Sequence, residues 1–135
     1  MHSLYTAVGV ATKAVGCDPR YLTVRLLIPT PMDGPSAGGI FAVGIAAALL
    51  GDSIRQDVCM SGTIEPDEEI HAVGRLVDKM SACRDLKKTM MIVPDAMDNS
   101  HLNFTGTERS IHVIEVHTLA EAYSAATGQG LRQVP

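Results

Sequence analysis

The apolar positions along the chain change their period several times, and each change marks an element. In HSLYTAVGVATKAVG, Leu4, Ala7, Val8, Ala11 and Val15 recur at helical spacing, and Gly16 supplies a stop. YLTVRLLI, from Tyr21 to Ile28, is dense in β-branched and apolar residues and predicts a strand, ended by Pro29 and Pro31. From Ala37 to Leu50 the chain holds only Ala, Gly, Ile, Phe, Val and Leu, which predicts a helix buried on every side. Gly38, Gly39 and Gly44 weaken its helix propensity and fit places where other backbone passes close, and Gly51 ends it. DVCMSGTI (57–64) predicts a strand, EPDEE an exposed acidic loop, VGRLVDKMSACRDL a helix and TMMIVP a buried strand. DAMDNSHLNFTGTE is polar and loop-like, IHVIEV predicts a strand, and HTLAEAYSAATG predicts a closing helix. That last helix carries a capping box, Thr118 with Glu121, and a terminal Gly128.

Strands and helices alternate, so the fold class is α/β or mixed α+β, in a single domain over residues 1–135. Composition sharpens this. Apolar residues make up 46% of the chain, yet Trp is absent and aromatics are 4%, so aliphatic side chains and methionine must fill the core. The net charge of −4, without any Lys/Arg run, argues against nucleic acid held by charge. The longest apolar run falls short of the ~18 residues that span a bilayer, so no membrane partner is expected. The first residues lack the charged and apolar regions of a signal peptide. Cys17, Cys59 and Cys83 are far apart, odd in number and without C-x-x-C spacing. They are expected as reduced thiols in a cytoplasmic protein, not as a disulfide or metal framework. The five histidines show no H-E-x-x-H spacing, so no metal and no cofactor are expected in this chain.

The candidate chemistry starts at PMDGPSAGGIF (31–41). Pro35 fits the first turn of a helix, which puts Ser36 at the positive end of the apolar helix. There a serine either caps free backbone N–H groups or acts as a nucleophile whose oxyanion those groups stabilise. Gly34, Gly38 and Gly39 strip side chains from around Ser36, which a cap does not need. The string also fits the G-x-S-x-G elbow of α/β-hydrolases, with Asp95, Asp98, His112 and His117 downstream. That elbow requires a strand running directly into the serine, and PTPMDGP intervenes. Lys79 shares a helix face with Leu76, Met80, Cys83 and Leu86, opposite Arg75, Asp78, Ser81 and Asp85. It reads either as a lysine snorkelling from the edge of the stripe or as a desolvated base. A base working near pH 7 to 8 needs the ordinary lysine pKa of ~10.4 lowered by ~2.5 units, roughly 3.4 kcal/mol, which apolar surroundings can supply.

MDGPSAGG, then DVCMSGTI, then VGRLVDKMSACRDLKKTMMIVP resemble, in order, three blocks of the proteolytic domain of Lon proteases, the Ser–Lys peptidases. The resemblance is strong from Asp33 to Pro94 and looser elsewhere. It implies a Lon-type proteolytic fold lacking its first strands, with Ser36 as nucleophile and Lys79 as general base. Ser61 stands where the family has a threonine hydroxyl near the lysine, and Asp33, Gly34 and Pro35 shape the nucleophile loop. The implied activity is endopeptidase cleavage of unfolded or damaged proteins, and the implied assembly is a homo-oligomer, a hexameric ring. No G-x-x-x-x-G-K-[ST] segment is present, so ATP enters only through an ATPase module elsewhere in a longer protein. Thr63 replaces a family glutamate, Arg75 replaces a glycine, and EPDEE replaces the usual loop, changes that bear on substrate preference. Two other readings stand beside the peptidase: a non-catalytic Lon-like oligomerisation or scaffold domain, and an anion site on the GPSAGG backbone without basic side chains to support it.

Overall fold

A computed structural model describes residues 2–23, 37–71, 83, 85–94 and 111–134. Helix α1 (His2–Val15) follows the predicted stripe, with Ala7, Val10, Ala11 and Val15 buried. Gly16 ends it in the left-handed region at φ 75°. Thr12, buried inside the helix, donates its hydroxyl to the Val8 carbonyl at 2.7 Å, so its polar atom is satisfied. The strand predicted from Tyr21 begins differently. Asp18 caps a short 3-10 turn, Pro19–Tyr21, by accepting from the Arg20 N–H. Residues 24–28 of that predicted strand lie outside the described residues, as does the whole polar stretch from 95 to 110.

Helix α2 (Gly38–Leu50) runs beside α1 and ends at Gly51, φ 77°. Its burial is wide but not total, because Ala48 is exposed. The predicted strand 57–64 divides. β1 (Val58–Met60) belongs to a parallel sheet of order β1-β4-β5, with β4 at Met90–Pro94 and β5 at His112–Val116. After Ser61 and Gly62 the chain leaves that sheet, and β2 (Thr63–Ile64) pairs antiparallel with β3 (Ile70–His71). The acidic loop between them is a tight turn. Glu68 donates its N–H to the Glu65 carbonyl and adopts φ 69°. Helix α3 (Leu119–Thr127) has both bonds of the expected capping box and ends at Gly128, φ 76°.

Alternation along the parallel strands builds two cores. One face, with Val58, Met60, Ile92 and Val116, packs against α1, α2 and α3. The other face carries Cys59, Met91, Val93 and Val113 and is joined there by Cys83 and Ile111. Cys83 and Asp85 are helical, the described end of the helix predicted over 73–86. Leu86, expected on its apolar stripe, is instead 68% exposed, because the helix stops before it. Lys87 turns at φ 61°, and Lys88 donates its N–H back to the Cys83 carbonyl.

The cysteines depart from expectation. Cys59 and Cys83 form a disulfide, and Cys17 is the free thiol. Sequence spacing conceals the pair because β1 and the Cys83 helix meet only across the second face of the sheet. No helix among the described residues is long and apolar enough to cross a membrane.

Candidate active site

The described part of the site is the meeting of the α2 N-terminus with the Ser61–Gly62 break. Ala37 occupies the α2 cap position at φ −89°, ψ −4°, and no side chain caps from it. The Gly39 N–H, one of the donors a helix leaves free at its start, donates to the Gly62 carbonyl at 3.0 Å. A Cβ on Gly39 would lie 2.5 Å from Met60 Cε and 3.1 Å from that carbonyl oxygen. The missing side chain at Gly39 therefore admits the β1–β2 backbone, the close backbone approach expected at this glycine. Gly44 does not mark a close approach, since its Cβ would meet only Ile54 at 3.9 Å. Gly62 has φ 154° and is crowded by Ile70 and Pro94.

Ser61 sits at the centre of this junction. Its N–H donates to the Ile92 carbonyl at 3.0 Å, the last tie to the parallel sheet before the chain turns away. The residue is 3% exposed and its hydroxyl has no hydrogen-bond partner among the described residues. Leaving a buried hydroxyl unpaired costs about 1–3 kcal/mol, and an orphan of this kind points to a group that joins it in the working protein. Of the predicted site residues, the described structure brings Ser61 to the α2 N-terminus. Asp33, Gly34, Pro35, Ser36 and Lys79 lie outside the described residues. Ser36 directly precedes Ala37 in sequence, and Lys79 precedes Cys83 by four positions. His112 and His117, the histidines considered for a hydrolase triad, are exposed.

A second polar cluster escaped the sequence reading. Asp67, Glu69 and His71 bring one donor atom each within 4.8 Å of one another. Glu69 lies 3.1 Å from His71 Nε2 and 3.6 Å from His117 Nε2, and its N–H donates to Asp67. The contact with His117 joins the β2–β3 turn to the start of α3. The Ile70 N–H donating to the His117 carbonyl and the Leu119 N–H donating to the Glu68 carbonyl reinforce it.

The fold is a mixed α/β domain whose buried helix abuts the loop between a parallel sheet and a small antiparallel one. Residues 6–127 match the profile of the Lon protease (S16) C-terminal proteolytic domain, and the chain belongs to that family. The class is thus that of Lon-type proteolytic domains. Lon protease 2 of Syntrophobacter fumaroxidans is 37% identical over 67 residues, 50% of the chain. Lon protease 1 of Syntrophotalea carbinolica is 24% identical over 128 residues, 82% of the chain, and the Lon protease of Lawsonia intracellularis is 42% identical over 64 residues, 45% of the chain. These matches cover 8%, 16% and 8% of the relatives' own lengths, so the chain corresponds to a small part of them.

Proposed function

We propose that this domain hydrolyses peptide bonds with Ser36 as nucleophile and Lys79 as general base. The buried Ser61 hydroxyl beside the α2 N-terminus, without a partner among the described residues, carries the reading. In the working site Ser61 accepts a hydrogen bond from the Lys79 amine and holds it toward Ser36. Lys79 removes the Ser36 proton as Oγ attacks the scissile carbonyl carbon. The oxyanion forms near the positive end of α2, where backbone donors favour it. Collapse expels the amine product with the proton from Lys79, and water repeats the sequence on the acyl-enzyme. Asp33, Gly34 and Pro35 set the approach to Ser36. The chemistry requires no cofactor.

The substrates proposed are unfolded or damaged proteins in the cytoplasm, reached in a homo-oligomeric and specifically hexameric assembly. Any ATP-driven unfolding belongs to other segments of a longer protein.

Cleavage of a denatured protein tests the dyad. Ser36→Ala and Lys79→Met are each expected to lower the rate by at least about 10³-fold with the fold intact by circular dichroism. Activity in the parent should rise with pH through neutrality, as a lysine base loses its proton. Full activity in either variant, or a flat profile from about pH 6 to 9, would overturn the assignment.

A further inference from the structure

We propose that Cys59 and Cys83 form a reversible thiol–disulfide site that ties the strand leading to Ser61 to the helical residues that follow Lys79 by four positions. Its catalytic consequence rests on the Ser36–Lys79 reading, while the redox site itself does not.

The position of the pair is what gives it leverage. Cys59 lies in β1, two residues before Ser61, so it is fixed by the same strand that places the orphan hydroxyl. Cys83 lies four residues after Lys79 in sequence and is itself helical and 2% exposed. Among the described residues the buried members of the second core, in which the bond sits, are Cys83, Met91, Val93 and Ile111. Just beyond the last turn of the Cys83 helix, Lys88 reaches the Gln56 carbonyl and the Thr89 N–H donates to the Asp57 carbonyl. The disulfide is therefore the covalent link between the strand leading to Ser61 and the segment leading back to Lys79.

The pair is also asymmetric in access. Cys59 is half-buried and Cys83 is sealed, so an incoming thiolate reaches Cys59 Sγ first. A small dithiol attacks there, the S–S bond breaks, and Cys83 leaves as a thiolate and takes a proton. The second thiol of the reagent then displaces Cys59, so the reagent becomes a cyclic disulfide and both cysteines are reduced. A small-molecule disulfide such as oxidised glutathione runs the exchange in reverse and is itself reduced to two thiols. Oxidation adds no charge to the site. It removes freedom from the segment that must hold Lys79, and a displacement of ~1 Å in a catalytic group can cost on the order of 10²-fold in rate.

The test compares the oxidised protein with protein reduced by a small dithiol. Alkylation in denaturant should find the single free thiol, Cys17, in the oxidised form and all three cysteines after reduction. Reduction is expected to speed hydrogen exchange in the peptide 72–86 and to slow fluorophosphonate labelling of Ser36 by about tenfold or more. Cys59→Ser should behave as the reduced protein and ignore the oxidant, whereas Cys17→Ser should keep the full difference. Three free thiols after equilibration with oxidised glutathione, or identical exchange in the two states, would overturn the proposal. Redox-dependent exchange with Ser36 unlabelled in both states would support the redox site and overturn the dyad.

Discussion

A hydroxyl as small as that of Ser61 is unfavourable to bury alone, and its isolation makes it the most informative residue in the described structure. Ser61→Ala is expected to shift stability by no more than about 1 kcal/mol, because only the single proposed hydrogen bond to the Lys79 amine is lost with the hydroxyl. In the proposed positioning role the same change lowers kcat/KM about tenfold, and Ser61→Thr restores it. Loss of stability without loss of activity would make Ser61 a packing residue. Gly39 gives the opposite case. Its Cβ would press on the Gly62 carbonyl, which is backbone and cannot swing aside as the Met60 methyl can. Gly39→Ala should cost about 1–3 kcal/mol in a urea melt. The sequence identified both residues as notable. It could not say that Gly39 makes room for the β1–β2 backbone, because that contact joins segments distant along the chain.

At the level of elements, the end of α2 depends on a partner the sequence did not announce. Asp52, just past Gly51, accepts a hydrogen bond from the buried Tyr123 of α3 and a two-pronged bond from Arg132, at 2.9 and 3.2 Å. Arg132 also reaches the Leu50 carbonyl at 3.4 Å, so a cation sits at the negative end of the helix. Arg132 first, then Tyr123, holds the Asp52 carboxyl below its ordinary range. Burial first, then Asp52, pushes the Tyr123 phenol up to about 12. The signs give two limits. The Asp52 contribution is present above the ordinary carboxylate range and is lost as pH falls through the lowered value. The Tyr123 contribution is present below about pH 10 and is lost as pH climbs toward 12. Tyr123→Phe should lower stability at neutral pH by about 1.5 kcal/mol and flatten the alkaline loss between about pH 10 and 12, read from urea melts across pH. Periodicity located α1, α2, β4, β5 and α3 because each has one dominant environment. It ran β1 into β2 because an apolar run carries no mark of the point where a strand changes sheets.

Among the described residues of the whole molecule, the parallel sheet separates two buried clusters. One holds α1, α2 and α3 by aliphatic packing. The other contains a disulfide, whose span of 24 residues corresponds to about 3.5 kcal/mol of lost unfolded-chain entropy. The sequence by itself determined the mixed α/β class, the helix stops and the capping box, because these rest on local period and backbone preference. Its motif blocks also carried the family. Only the tertiary structure decided that Cys59 bonds to Cys83, that Gly39 receives Gly62 and that the Ser61 hydroxyl is buried without a partner among the described residues. Each of those facts is a meeting of segments far apart in the chain, and burial and proximity are properties of the packed whole.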